Sequence, residues 1–249
     1  GWLVTMYGIQ VIPGAGLLVL ALLFLSLAVT GKLFKKAVAV RFLAESNNKK
    51  TESNEAIPLM DFVRNNRHFI IFSISIVFVF FQNSVFNSYL MQIITAVGGN
   101  SSQMGRLFSF MALLELPGLF FFSQLRKKFS CQFMLKVASI AFTAKVFLAF
   151  MAPSVAFIYV AFLLQLISFP IFLSASVHLV DEVMEKGEAV KGQAFVTAMM
   201  TLSTVFAALF GGILLDLRGA SFLLLISTVL CVIGTGIVLL VVDKIKPKK

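Results

Sequence analysis

The sequence predicts an all-α integral membrane protein, and three observations carry this prediction. Of the 249 residues, 59% are hydrophobic and 13% are charged, and this charged fraction is about half of what a soluble domain carries. Phenylalanine alone accounts for 28 residues. The apolar residues also form runs of about 20 residues, the length that an α-helix needs to cross about 30 Å of hydrocarbon.

Seven apolar runs qualify as transmembrane helices. Backbone groups inside a bilayer must hydrogen-bond within the protein, and no ten-residue alternation in the sequence indicates a β-barrel. Turn-forming residues separate several of the runs, at 98–105, at Pro153 and at 187–193. The predicted spans are 9–30, 69–93, 107–124, 133–152, 155–176, 194–214 and 221–242.

The positions of the basic residues predict the orientation. If the spans alternate in direction, 18 of the 21 lysines and arginines lie on one side of the membrane. Cytoplasmic loops carry such an excess, so we predict that residue 1 is outside and the C-terminus is in the cytoplasm, in a cell membrane crossed several times. The net charge of +10 is spread between apolar runs, which is typical of cytoplasmic loops and not of a nucleic-acid interface.

The first predicted span is set apart from the other six. A long mixed-charge connection follows it, whereas the later spans are joined by short loops, and this contrast indicates a boundary between two halves. The predicted divisions are 1–30 with a single helix, 31–67 as a basic cytoplasmic linker, 68–243 as a six-helix bundle and 244–249 as a cytoplasmic tail.

One carboxylate lies inside a predicted span. Glu115 is at the centre of the stretch MALLELPGLF, and the nearest charged residues in the sequence are Arg106 and Arg126. An unpaired carboxylate in hydrocarbon is costly, so this group must be paired, neutralised or hydrated. Intramembrane charges usually face a bundle interior or a water-filled cavity. We therefore predict that Glu115 belongs to a functional site.

Neighbouring spans place polar side chains at a similar depth. At about 1.5 Å per residue, Glu115 lies about 12 Å from the outer end of its span, Lys145 about 9 Å and Gln165 about 15 Å. The outer half of span 69–93 adds three amides, Gln82, Asn83 and Asn87. Glu115 and Lys145 are expected to pair. Two interpretations stay open: a pair that only locks two helices together, or a cavity that binds a solute.

Five segments of the chain carry a family resemblance. They are FNSYLMQIITAVGGNSSQMG, MALLELPGLFFF, KVASIAFTAKVFL, VKGQAF and GGILLDLRG. Together they resemble the C-terminal half of a major facilitator superfamily transporter, and they are most similar to the lactose-permease-like branch of oligosaccharide and nucleoside proton symporters. The resemblance implies that 9–30 is the sixth helix of twelve and that the later spans are helices seven to twelve. It also implies an N-terminal half, as a partner, of which about five helices would precede Gly1.

The resemblance also implies roles for individual residues. The branch has a carboxylate on helix eight that binds sugar and takes part in proton coupling, and Glu115 matches it. An arginine on helix nine is replaced by Lys145, which keeps the charge but loses bidentate geometry. A histidine and a carboxylate on helix ten fall at Gln165 and Ser168. The implied partners are a small polar solute, a sugar or nucleoside, and protons, with Glu115 as the proton-coupling residue.

A second cluster of polar residues lies at the cytoplasmic end of the fifth span. His178, Asp181 and Glu182 share one face of a helix. We predict that His178 and Asp181 belong to a solvated gate that pairs with Lys191. The alternative is a membrane-embedded enzyme that uses His178, Asp181 and Glu182. The two cysteines, Cys131 and Cys231, show no disulfide or metal-ligand spacing, and the sequence indicates no metal and no cofactor.

Overall fold

The computed structural model describes residues 59–185 and 188–245, and in these residues all regular secondary structure is helical. The predicted span 9–30, the first part of the linker 31–67 and residues 246–249 of the tail lie outside the described residues. The helices are α1 (Leu59–Asn65), α2 (Arg67–Ala96), α3 (Ser101–Arg126), α4 (Cys131–Phe150), α5 (Val155–Phe162), α6 (Phe169–Val183) and α7 (Ala189–Val241), with 3-10 turns at Leu163–Leu166 and Val242–Lys244.

Five helical segments of the described residues are long and apolar enough to cross a membrane. The helical part of the chain begins earlier than the sequence predicts, because α1 and the first residue of α2 lie within the predicted linker 31–67. The predicted spans 194–214 and 221–242 are joined in one helical segment. The five segments are Arg67–Ala96, Ser101–Arg126, Cys131–Phe150, Val155–Val183 and Ala189–Lys244.

The last helix, α7, folds back on itself. Its 53 residues would extend about 80 Å as a straight helix, far beyond the thickness of a bilayer. The helical dihedral angles are interrupted at Arg218 and at Gly219, whose φ of +76° is favourable only for glycine. We call residues 189–217 the first arm and residues 220–241 the second arm.

Both arms of α7 pack along α2. In the first arm, the Ser203 hydroxyl donates to the Val77 carbonyl at 2.8 Å. In the second arm, the Cys231 thiol lies 3.9 Å from the Val79 carbonyl, two residues farther along α2. Residues separated by 28 positions therefore meet neighbouring positions of one helix, as the reversal at Gly219 requires.

The contact between α2 and the first arm depends on an aromatic side chain over glycine. Tyr89 departs from helical dihedral angles, and its hydroxyl donates to the Ala208 carbonyl at 2.9 Å. A Cβ at Gly211 would lie 2.5 Å from the Tyr89 ring, so only glycine leaves room for this packing. The glycine pair in GGILLDLRG therefore provides the surface on which Tyr89 lies.

Local capping sets where the helices begin. Asn100 and Gln103 form a reciprocal capping box, each side chain bonded to the other's backbone N–H at 3.0 Å, which starts α3 six residues before the predicted span 107–124. Ser130 caps α4 through the Phe133 N–H at 3.2 Å. Gly98, with φ of +80°, makes the turn between α2 and α3.

Phenylalanine rings form part of the hydrophobic core. An aromatic cluster joins α2, α4 and α6, with ring centroids 5.4 to 6.4 Å apart, and it comprises Phe72, Phe80, Phe142, Phe169 and Phe172.

Most side chains of α3 are only partly buried or exposed. This helix runs parallel to 155–183, and its contacts begin where Tyr159 donates to the Gln103 carbonyl at 3.3 Å.

Candidate functional site

The polar side chains predicted on three spans meet where the segment 155–183 is broken. The 3-10 turn Leu163–Leu166 separates α5 from α6, and Ser168 has the non-helical dihedral angles φ −92° and ψ −80°. Pro170 lies at the start of α6 and has no N–H to bond the Leu166 carbonyl. Helix breaks at membrane depth are tolerated where they are buried in protein or line a cavity, and they often form binding sites.

Gly118 allows α3 to approach this break closely. A Cβ at this position would lie 2.4 Å from Pro170 Cγ and 2.6 Å from the Leu166 carbonyl oxygen. Both distances are far below van der Waals contact, so any other residue would push the helices apart. The glycine that follows Pro117 in the sequence therefore holds Glu115, one turn earlier on α3, within reach of the break.

Gln165 is the centre of the site. Its side-chain amide is buried, and its Nε2 donates to Glu115 Oε1 at 2.8 Å. Its Oε1 accepts from Lys145 Nζ, also at 2.8 Å. Because an ammonium only donates and a carboxylate only accepts, these two neighbours fix the orientation of the amide between them. We call this chain of hydrogen bonds from Glu115 through Gln165 to Lys145 the polar relay.

The expectation that Glu115 and Lys145 pair needs a correction. The two groups do not form a direct ion pair in the described structure, because the Gln165 amide lies between them. Sequence depth indicated that the three side chains share a level of the membrane, but it could not tell which of them would be in the middle.

Lys145 is enclosed by aromatic rings. Its side chain is 0% exposed, and its ammonium nitrogen lies 5.3 Å from the Phe86 centroid, 5.0 Å from Phe142 and 5.4 Å from Phe162. The negative faces of aromatic rings attract a desolvated cation by up to about 2 kcal/mol or more. Three helices, α2, α4 and α5, therefore contribute to holding one charge.

The aromatic enclosure was missed from the sequence, although its spacing gave a signal. Phe142 precedes Lys145 by three residues and Phe162 precedes Gln165 by three, the spacing that places two side chains on one face of a helix. A phenylalanine three residues before an intramembrane polar residue is therefore a candidate for lining the site that this polar residue forms.

The three amides predicted on α2 are outside the relay. Gln82, Asn83 and Asn87 make no hydrogen bond to it within the described residues. Gln82 is 0% exposed, and neither of its side-chain polar atoms has a partner in the described structure. It lies one helical turn before Phe86 of the aromatic enclosure. Asn83 is buried, whereas Asn87 is exposed.

Ser168 is, like Gln82, a buried polar residue close to the relay. Its hydroxyl is buried without a described hydrogen-bond partner, three residues beyond Gln165 at the helix break. Buried polar groups are nearly always hydrogen-bonded, and leaving one unpaired costs about 1–3 kcal/mol. Gln82 and Ser168 thus offer unused hydrogen-bonding capacity within one turn of relay or enclosure residues.

The second predicted cluster is organised by a residue that the sequence did not indicate. Arg126, at the end of α3, donates to His178 Nδ1 and to Glu182 Oε1, each at 3.1 Å. Phe122 stacks on the His178 ring, with centroids 5.3 Å apart. The Cys131 thiol also donates to Glu182 Oε1, at 3.4 Å. We call Arg126, His178, Glu182 and Cys131 the Arg126 cluster.

The Arg126 cluster does not unite the trio considered for an enzyme. Asp181 is exposed and is not one of its members, while His178 and Glu182 are both engaged by the arginine. Lys191, the expected partner for the gate, lies in the first turn of α7. Among residues 59–185 and 188–245, no group of three or more histidine, cysteine or acidic side chains is arranged to hold a metal ion.

An apolar cavity of about 370 Å³ lies elsewhere, between α2 and the two arms of α7. All nine of its lining residues are apolar, and none belongs to the relay. A polar solute would find no hydrogen-bond partner among these side chains. This cavity is therefore not a continuation of the polar site.

Comparison with known proteins identifies the family. The model of the MFS_1 like family matches residues 1–226, which is most of the chain. A comparison with curated proteins gave no match. The match agrees with the five long apolar helical segments and the polar site enclosed among them. The chain belongs to the MFS_1 like family of the major facilitator superfamily, and is thus an integral membrane protein of a transporter family.

Proposed function

We propose that this chain is part of a secondary active transporter that moves a small polar solute, a sugar or a nucleoside, by alternating access coupled to protons. In this proposal, residues 68–243 are the C-terminal six-helix bundle of a twelve-helix protein of the lactose-permease-like branch. The fold-back of α7 supports six spans here, since each arm is long enough to cross the bilayer. The N-terminal half of the same transporter and the surrounding lipid are its partners.

The observation that carries the proposal is the polar relay at the helix break. Its one carboxylate, Glu115, is partly exposed, while its ammonium, Lys145, is fully buried. A contact that only held two helices together would not require one charged group to be partly exposed and the other to be fully buried. Glu115 Oε1 is bonded to Gln165, and because the residue is partly exposed we assign its carboxylate to contact with a solute hydroxyl or a proton.

The relay gives a mechanism for coupling. When ionised, Glu115 accepts a charge-assisted hydrogen bond from Gln165 and ties α3 to the break between α5 and α6. A proton on Glu115 removes the charge and weakens this bond. Lys145, inside its aromatic enclosure, binds the other end of the Gln165 amide. Protonation is thereby linked to the contact between α3 and the helix break.

Other side chains extend the solute site. The amide of Gln82 and the hydroxyl of Ser168 have unused donors and acceptors, and Asn83 and Asn87 lie on the same helix as Gln82. A sugar or nucleoside carries several hydroxyl groups that can satisfy them. We assign Gln82, Asn83 and Asn87 to solute binding, together with the three relay residues.

The Arg126 cluster is assigned to gating. It ties the ends of α3 and α6 together by exposed ionic contacts, which are weak enough to open and close. The lysine and arginine distribution supports a cytoplasmic location for these helix ends. Asp181, exposed beside the cluster, and Lys191, in the first turn of α7, are assigned to the contacts that close this side.

Uptake by four proteins tests the proposal. The full-length transporter that contains this chain is compared with Glu115→Gln, Lys145→Met and the double variant, in proteoliposomes with and without a pH gradient. We expect Glu115→Gln to abolish proton-driven uptake of the sugar or nucleoside that the wild type accepts, with folding retained. The double variant should regain stability, because both charges leave together, but not uptake.

Asp216→Asn is the matched control, since this exposed carboxylate at the end of the first arm is outside the relay. It should transport normally. Full activity in the Glu115→Gln, Lys145→Met double variant would show that the relay is only a structural contact, and the functional assignment would be wrong.

A further inference from the structure

A small basic pocket lies where the start of α2 meets the ends of α6 and of the last 3-10 turn. Its volume is about 160 Å³. Three of its lining residues have side-chain N–H donors, and all three side chains are exposed: Arg67, His68 and Lys244. The remaining lining residues are Asn65, Asn66, Phe69, Val183 and Ile245.

The charge of the pocket is not balanced by its lining. No acidic residue is among the eight described residues that line it. The carboxylate nearest in sequence, Asp243, is bonded to Lys136 of α4. Arg67 and Lys244 come from distant parts of the chain and repel each other, so this arrangement favours an anion between them.

The pocket lies at the level of a membrane surface. Arg67 is the first residue of one apolar span, and Lys244 is the last residue of another. The pocket floor is apolar, because Phe69, Val183 and Ile245 are buried. A basic rim over an apolar floor, at the ends of two spans, matches a lipid whose phosphate lies above its acyl chains.

We propose that this pocket binds the phosphate group of an anionic phospholipid. The guanidinium of Arg67 and the ammonium of Lys244 contact the phosphate oxygens, and His68 adds a further donor. The glycerol end of the lipid lies against Phe69 and Ile245. This site is separate from the polar relay, and it would tie the first and last described spans to the same lipid.

Lipid binding to the purified chain tests the proposal. Its affinity for phosphatidylglycerol is measured in vesicles of phosphatidylcholine with and without phosphatidylglycerol, by native mass spectrometry and by the shift in melting temperature. We expect Arg67→Gln with Lys244→Gln to weaken phosphatidylglycerol binding at least about tenfold, since each basic residue near an anionic lipid contributes substantially. Both side chains are exposed, so the fold should persist, and the two single variants should each give a smaller loss.

Lys127→Gln with Lys128→Gln is the matched control, because it removes the same charge from exposed positions at the end of α3, outside the pocket. An equal loss in this control would show general attraction to the lipid surface and overturn the site. Equal binding of phosphatidylcholine would also overturn it. Inorganic phosphate is tested alone, and stabilisation by phosphate equal to that by phosphatidylglycerol would make the ligand a free anion and the lipid assignment wrong.

Discussion

The polar relay and the Arg126 cluster both join α3 to the segment 155–183, and they do so in opposite environments. In the relay, Lys145 is 0% exposed and has one hydrogen-bond acceptor and three aromatic rings around it. In the Arg126 cluster, the side chains of Arg126 and Glu182 are 40% and 36% exposed. Water can replace a partner of Arg126 or Glu182, but it cannot replace the partner of the fully buried Lys145.

The difference in exposure between Lys145 and the Arg126–Glu182 pair determines what each contact can do. A buried charge that loses its partner costs about 3–5 kcal/mol, whereas an exposed ion pair contributes about 0–1 kcal/mol. The relay is therefore suited to a site that must be specific, and the Arg126 cluster to a contact that must open readily. Variants in the two regions can separate these properties.

The largest effect is expected for Gln165→Leu. This change removes both hydrogen bonds of the relay and leaves a fully buried ammonium without an acceptor. We expect a loss of about 3–5 kcal/mol in the free energy of unfolding, measured by denaturant titration in detergent. Adding Lys145→Met should recover most of this loss, because the uncompensated charge is then gone.

Gln92→Leu is the control for this change. Gln92 is an exposed glutamine of α2 that makes no described hydrogen bond, so the same substitution there should alter stability little. If Gln165→Leu were as mild as this control, the relay would not be holding a buried charge, and the comparison between the two regions would fail.

An intermediate effect is expected for Gly118→Ala. The added methyl group would clash with Pro170 Cγ and with the Leu166 carbonyl, forcing α3 away from the helix break. Overpacking of this kind costs about 1–3 kcal/mol, and the longer distance from Glu115 to Gln165 should reduce uptake as well. Melting temperature and uptake are measured on the same preparations.

Gly236→Ala provides the contrast, since nothing lies within 4 Å of a Cβ built at that position. Within a helix, this change should be neutral or stabilising by up to about 1 kcal/mol. Equal destabilisation by both substitutions would mean that the close approach at Gly118 is unimportant.

The smallest effect is expected for Arg126→Gln. The variant loses an exposed ion pair and the bond to His178, so we expect less than about 1 kcal/mol of destabilisation. The difference in melting temperature from the wild type should shrink as salt is added, because exposed pairs are screened. Lys128→Gln, which removes an exposed charge without a described ion pair, serves as the control. A large, salt-independent loss for Arg126→Gln would place the cluster in the same class as the relay.

The fold was largely predictable because hydrocarbon imposes simple rules on sequence. Length and hydropathy placed α2, α3 and α4 within a few residues of their observed positions. The errors at helix ends come from local hydrogen bonds: Asn100 and Gln103 extend α3 into a segment that looked like a loop. The predicted spans 194–214 and 221–242 lie in the two arms of α7. The break between the arms is confined to Arg218 and Gly219, so α7 is assigned as one helical segment.

Three of the six residues predicted for the solute site lie together in the structure, and the sequence did not predict how they are arranged. Depth along each span brought Glu115, Lys145 and Gln165 to one level, and the structure brings these three together. Which side chain bridges the other two depends on the rotation of each helix and on the break before Pro170, and spacing along the chain does not specify either. Arg126 was missed because its partners lie 52 and 56 residues away on another span.

The pairing of α2 with α7 has a consequence for biosynthesis. Ser203 is 126 residues beyond Val77, and Cys231 is 152 residues beyond Val79, so α2 and α7 depend on each other although they are far apart in the sequence. At ribosomal rates of about 5–20 residues per second, Ser203 is synthesised about 6–25 s after Val77. During that interval α2 must be sheltered by lipid or by the insertion machinery. Synthesis of the two arms of α7 is therefore the step that completes these contacts of α2.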